Sequence, residues 1–146
     1  MSIATRTATT TWVDSLAAGH GTIHPDSGAF EDLDVTWAAR TEAPGGKTSP
    51  EELCAAAHSS CFSMALALKI AEAGAPPEEL RVSAAVTLDE VDGRPTIASS
   101  KLEVEARVEG MDAETFDAAV AAAAELCPVS RLFAGAEITV DARLLD

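Results

Sequence analysis

The chain has 146 residues, of which 47% are hydrophobic, and its formal net charge at neutral pH is −14. This length and composition predict a single domain, residues 1–146, with a core of its own. The excess of acidic residues excludes nucleic acid and anionic membranes as partners, because both are bound by clustered lysine and arginine.

The first elements in chain order are predicted to be three strands. Residues Ala4–Val13 are rich in threonine and β-branched side chains, Gly21–His24 read as a short strand, and Leu33–Arg40 alternate between apolar and polar positions. A turn-rich linker, Ala43–Lys47, then separates the strands from the first long helix.

This central helix is predicted to run from Pro50 to Ala73. Ser49 suits its N-cap, Glu52 lies three residues after the cap, and Gly74 suits its C-terminal end. Between residues 53 and 68 the helix carries no charge and is apolar on most faces, which is typical of a helix covered by protein.

The second half of the chain is predicted to add two strands, a helix and a last strand. The strands Arg81–Val91 and Thr96–Val108 flank an Asp-Gly hairpin signal, a helix follows from Asp112 to Leu126, and the last strand covers Ala136–Leu144. The predicted class is therefore α+β, with the element order βββαββαβ.

No segment is predicted to direct the chain to or across a membrane. The polar start of the chain does not read as a signal peptide, and no later run reaches the ~18 uncharged apolar residues that a spanning helix requires. Three cysteines, an odd number, do not form a secreted disulfide framework. We therefore expect a cytoplasmic protein.

The cysteines are candidates for thiol chemistry. Reduction of a peroxide by a thiol requires a thiolate, a cation that stabilises it, and a second thiol that captures the sulfenic acid. Cys61 lies about three turns into the central helix, too far from its N-terminus for the helix dipole to act, so a reactive Cys61 needs a nearby cation. Cys127 precedes Pro128 and could cap a new helical turn. Taken alone, each cysteine would more often be a small buried hydrophobe.

Two cysteine motifs resemble those of one family. The run SPEELCAAAHSSCFSMAL at residues 49–66 resembles the central-helix signature of the osmotically inducible OsmC proteins, a subfamily beside the Ohr hydroperoxide reductases. Residues 127–130, CPVS, resemble the second cysteine motif, and the likeness covers nearly the whole chain. It implies the OsmC-like fold: a central buried helix and an intertwined homodimer with the active sites at the subunit interface.

The resemblance also implies an activity and its residues. In the implied activity, Cys61 reduces an organic hydroperoxide and becomes a sulfenic acid. Cys127 then condenses with Cys61 to a disulfide, and an external dithiol of the lipoyl or thioredoxin type reduces that disulfide. Arg40 matches the arginine that activates the thiolate, and Glu51 matches the glutamate that orients it. No metal or haem is expected, and the role implied is defence against oxidative or osmotic stress.

Two alternatives remain open at this point. Cys54, His58 and Cys61 follow one another at i, i+4 and i+7 and could contribute ligands to a zinc or copper site. The chain could also be a noncatalytic binding module on the same fold. In the structural alternative, Arg40 is a solvated strand end and Glu51 only a favourable charge at a helix N-terminus.

Overall fold

The computed structural model describes all residues, 1–146, and contains two sheets and four helices. The chain forms two compact units, residues 1–53 and residues 54–146, each with its own sheet. The predicted α+β class is confirmed, with two short helices added to the predicted order. The single domain over residues 1–146 stays a prediction.

The first unit contains a three-stranded antiparallel sheet in the order β1-β2-β3, formed by Ala8–Val13, His20–Pro25 and Leu33–Val35. Gly21 pairs with Trp12 on one side and with Val35 on the other. A Cβ at this glycine would lie 2.8 Å from Val35 Cγ1 and 2.9 Å from the Trp12 ring. Only glycine therefore allows the tryptophan to lie across the middle of the sheet.

The prediction that residues 33–40 form one strand is wrong after residue 35. Thr36 is extended and its hydroxyl accepts a hydrogen bond from the Ala39 N–H at 3.1 Å, which makes it the N-cap of helix α1, Trp37–Thr41. The alanines and arginine that follow have better helix propensity than strand propensity. Arg40 consequently lies in the last turn of α1 and not on a strand.

Helix α2, Pro50–Glu72, confirms the predicted central helix to within one residue. The Ser49 hydroxyl accepts the Glu52 N–H at 3.1 Å, as expected for the N-cap. The carboxylate of Glu52 accepts a hydrogen bond from the Thr48 hydroxyl at 2.6 Å. Gly74, with φ at 143°, takes the chain out of the helix in a conformation that favours glycine.

The second unit contains a sheet in the order β4-β5-β6, formed by Glu79–Val91, Arg94–Arg107 and Glu137–Leu145. Strands β4 and β5 form the predicted hairpin, and both turn residues, Asp92 and Gly93, have the positive φ that a type I′ turn requires. Strand β6 runs parallel to β5. A parallel pair needs a long crossover, and helices α3 and α4 provide it.

The crossover helices are Ala113–Leu126 for α3 and Pro128–Leu132 for α4. Asp112 caps α3 with its side chain, which accepts a hydrogen bond from the Thr115 N–H at 2.8 Å. Cys127 is the N-cap residue of α4 and Pro128 opens the new turn, which confirms the sequence-based expectation.

The core of the second unit forms between one face of α2, one face of the sheet, and α3. On α2 the buried side chains recur every four residues, and on β5 every second residue is buried, as helix and strand geometry require. The main contributors are Phe62, Leu66, Ile70, Leu102, Val104, Ala106, Phe116, Ala119 and Ala123.

Helix α2 is long and apolar enough to cross a membrane by length and composition alone. Its buried face, however, packs into the core of the second unit. On another part of its surface, Met64 and Leu68 are 69% and 49% exposed.

We expect Phe116→Ala to lower the free energy of unfolding by about 3–5 kcal/mol, because this ring is fully buried and its removal leaves a cavity. Phe30→Ala is the matched control, since its ring is 45% exposed and should change stability by less than about 0.5 kcal/mol. Urea titration at one protein concentration measures both values. Equal losses in the two variants would contradict the packing described here.

Candidate active site

The second unit brings Cys61 and Cys127 together. Cys61 lies on α2 beside the core residue Phe62, and Cys127 is fully buried between α3 and α4. Both are free thiols, and their side chains are in hydrogen-bonding contact. The two thiols therefore lie beside each other in this unit.

The surroundings of the two thiols favour different protonation states. Burial raises the pKa of Cys61, and its contact with Cys127 raises it further. Burial also opposes ionisation of Cys127, but the hydroxyl and N–H of Ser130, the Cys61 thiol and the Val129 N–H together hold the pKa of Cys127 below its ordinary value. The residues of this unit therefore favour ionisation of Cys127 over ionisation of Cys61.

The first unit holds Arg40 and Glu51 in an ion pair. Arg40 Nε lies 3.1 Å from both carboxylate oxygens of Glu51, and Nη2 lies 2.6 Å from Oε1. The hydrogen bond to Glu51 raises the pKa of Arg40, so the guanidinium is permanently charged. The Trp37 ring lies 5.8 Å from the guanidinium carbon. Helix α1 and the first turn of α2 thus hold the guanidinium of Arg40 against the carboxylate of Glu51.

An apolar cavity of about 230 Å³ opens beside this arginine in the first unit. Its walls include the rings of Trp12 and Trp37 and the side chains of Leu16 and Ile23, and Arg40 is the charged residue among its lining residues. A cavity with apolar walls and one charged group suits a small molecule that has an apolar body and a polar end.

His58 is the buried polar centre of the second unit. Its Nδ1 lies 2.7 Å from the Ser100 hydroxyl and its Nε2 lies 2.8 Å from the Ser130 hydroxyl. The Phe133 ring makes an edge contact at 5.3 Å. Burial lowers the pKa of His58, so the ring is neutral. Nothing in the sequence marked Ser100 as a partner of His58.

Comparison with known proteins identifies the family. The profile described as OsmC-like protein matches residues 43–143. The chain is 41% identical to Peroxiredoxin OsmC of Escherichia coli strain K12 over 133 residues, which cover 91% of this chain and 92% of that protein. The chain belongs to the OsmC-like family.

Solved structures agree with this OsmC-like assignment. The organic hydroperoxide resistance protein OhrB of Bacillus subtilis matches with a TM-score of 0.71 and 30% identity, over 95% of this chain and 98% of its own. An organic hydroperoxide resistance protein from Elizabethkingia anophelis matches with a TM-score of 0.72 and 26% identity, over 97% and 99% of the two chains. The resemblance predicted from the two cysteine motifs is confirmed.

The proposed metal site does not form in this OsmC-like chain. Both ring nitrogens of His58 are within hydrogen-bonding distance of hydroxyl groups. No group of three His, Cys, Asp or Glu side chains is placed to hold a metal ion. The stripe of Cys54, His58 and Cys61 therefore does not act as a ligand set in this arrangement.

We expect His58 to titrate below the ordinary histidine pKa and His24 above it. Burial keeps the first ring neutral, whereas the hydrogen bond with Asp32 favours the charged form of the second. In the unfolded chain His58 takes up a proton at about pH 6.5, whereas in the folded chain it does so only at a lower pH. As the pH falls between these two pKa values, the free energy of unfolding therefore decreases. NMR of histidine-labelled protein against pH measures both midpoints. A His58 midpoint at or above that of His24 would contradict this assignment.

Proposed function

We propose that this chain is a thiol peroxidase that reduces organic hydroperoxides to alcohols, with Cys61 as the attacking thiol and Cys127 as the resolving thiol. The contact between these two side chains carries the proposal. The similarity to a peroxiredoxin and to an organic hydroperoxide resistance protein supports a role in defence against peroxide stress.

The first step oxidises Cys61. Its thiolate attacks the terminal oxygen of the hydroperoxide, an S–O bond forms and the O–O bond breaks. The organic half leaves as an alkoxide, takes up a proton and becomes the alcohol. Cys61 is left as a sulfenic acid.

The second step forms the disulfide. The Cys127 thiolate attacks the Cys61 sulfur, an S–S bond forms, and hydroxide leaves from the sulfenic acid and takes up a proton to give water. An external dithiol of the lipoyl or thioredoxin type then reduces the disulfide by two successive thiol exchanges. The cycle consumes one hydroperoxide and one dithiol.

Arg40 is assigned as the cation that favours the Cys61 thiolate, and Glu51 as the residue that orients it. The second unit raises the pKa of Cys61 and so creates the need for such a charge. The first unit offers a guanidinium whose orientation is held by two hydrogen-bonded carboxylate oxygens. A bidentate pair of this kind restricts the arginine far more than a single contact would.

The cavity beside Arg40 supports the proposed substrate class. Its tryptophan and aliphatic walls can bury the organic group of a hydroperoxide, while the guanidinium faces the polar end. Hydrogen peroxide has no apolar group to bury. This difference favours organic hydroperoxides over hydrogen peroxide.

A homodimer in the cytoplasm completes the proposal. Met64 and Leu68 on α2 and Leu132 on α4 are large apolar side chains that the chain itself leaves exposed. A second copy would remove this apolar surface from water.

Single-turnover reaction of the reduced protein with cumene hydroperoxide tests the roles of the cysteines. We expect Cys61→Ser to consume no peroxide and Cys127→Ser to stop at the sulfenic acid or a higher acid, because each lacks one step. Cys54→Ala, the matched control, should still form the disulfide, and hydrogen peroxide should react more slowly than the organic peroxide. Mass spectrometry of the cysteine peptides follows the products. Full activity of Cys61→Ser would exclude the mechanism.

Kinetics against pH test the role of Arg40. A nearby cation lowers a thiol pKa by about 1–3, so Arg40→Met should slow peroxide reduction at neutral pH by about tenfold or more. The deficit should shrink at high pH, where the thiol ionises without help. Arg94→Met, on the exposed end of the β4–β5 hairpin, is the control. Glu51→Gln should give a smaller loss. A deficit that is constant with pH would argue against thiolate activation.

A further inference from the structure

The proposed cycle assigns no role to one buried ionisable group, His58. Its side chain and that of Ser100 are fully buried, and Ser130 is 9% exposed. The ring joins the two serines, and Ser130 in turn contacts Cys127. These groups form one chain in the order Ser100, His58, Ser130, Cys127.

Counting protons restricts the directions of these hydrogen bonds. A neutral imidazole has one N–H donor and one nitrogen acceptor, and each serine hydroxyl has one proton to donate. If the ring proton is on Nδ1, His58 donates to Ser100, and Ser130 must give its proton to Nε2. If the ring proton is on Nε2, His58 donates to Ser130, and the hydroxyl proton of Ser130 is free to point to the Cys127 sulfur.

We propose that His58 and Ser130 are positioning residues for Cys127: Nε2–H of His58 donates to Ser130 Oγ, Nδ1 accepts from Ser100, and the Ser130 hydroxyl donates to the Cys127 sulfur. This assignment rests on the proposed function for the meaning of Cys127 as the resolving thiol. Burial of all three polar side chains excludes the water that would otherwise compete for these bonds.

Donation from the Ser130 hydroxyl to the Cys127 sulfur matters in the two steps in which Cys127 carries negative charge. In the first, its thiolate forms the S–S bond and expels hydroxide from the Cys61 sulfenic acid. In the second, an external thiolate forms a bond to the Cys61 sulfur, the S–S bond breaks, and Cys127 takes the electron pair and leaves as a thiolate. A hydroxyl that donates to the sulfur stabilises the charge in both.

The surroundings of Cys127 agree with this assignment. The groups that act on its sulfur are the Ser130 hydroxyl and N–H, the Cys61 thiol and the Val129 N–H. The side-chain groups among them are the Ser130 hydroxyl and the Cys61 thiol.

A thiolate titration that uses no peroxide tests the hydrogen bond. The ultraviolet absorbance of Cys61→Ser protein is measured against pH, with Cys61→Ser/Cys127→Ser as the blank. Adding Ser130→Ala should raise the pKa of Cys127 by about 1, a tenfold loss of thiolate at a pH below both values. Ser130→Thr retains the hydroxyl and should restore the pKa. Ser63→Ala, which removes a hydroxyl bonded to the Ser59 carbonyl, should leave it unchanged.

Kinetics then test the consequence. In otherwise native protein, Ser130→Ala should slow disulfide formation about three- to fourfold relative to the oxidation of Cys61, because the tenfold loss of thiolate is partly offset by its higher intrinsic nucleophilicity. A general structural defect would slow both steps together and would not be rescued by threonine. An unchanged pKa of Cys127, or an unchanged ratio of the two rates, overturns the proposal.

NMR of the native protein gives an answer even if Ser130→Ala does not fold. Labelled ring nitrogens show directly whether Nε2 or Nδ1 of His58 carries the proton. Protonated Nε2 supports the proposal, and protonated Nδ1 overturns it. If the native protein consumes no hydroperoxide, the peroxidase function fails, while the titration and the NMR result still decide the hydrogen-bond direction.

Discussion

The packing of helix α2 on the sheet of the second unit is the contact on which the site depends. Four residues spaced by one turn, His58, Phe62, Leu66 and Ile70, are fully buried. They face a strand on which Ser100 and the alternate residues after it are buried as well. Three of the four helix contacts are apolar and hold the helix in register. The fourth is the histidine, so the same register that fills the core also places an imidazole against a serine.

That register accounts for the position of the thiols. Cys61 directly precedes Phe62 and so lies at the edge of the buried ridge, half covered, against the junction of α3 and α4. Pro128 ends α3 at this junction, and Cys127 points into the core there. The proposed two-cysteine cycle requires one sulfur that a substrate can approach and a second sulfur beside it. A helix edge against a helix junction provides both.

Two thiols in contact rarely ionise together, since the first negative charge disfavours the second. Which of the two thiols ionises therefore depends on which sulfur receives more hydrogen bonds or lies near a cation. Ser130 and the backbone of α4 favour Cys127. The Arg40–Glu51 pair provides a charge whose proposed action is to favour Cys61. In the proposed cycle, oxidation and resolution need the charge on different sulfurs, so each of these two influences would assist one step.

Local features of this chain could be predicted from its sequence because their causes lie within a few residues. Ser49 and Pro50 mark the start of α2, Gly74 its end, and Pro128 the turn that Cys127 caps. The sequence was insufficient at residue 36, where a threonine hydroxyl ends a strand that the alternation would have continued. The two cysteine motifs indicated the family and the paired thiols through resemblance. The partners of His58 were decided by tertiary structure alone, since Ser100 and Ser130 lie 42 and 72 residues away along the chain. Contacts across such separations depend on how helix and sheet pack, and no local pattern records that packing.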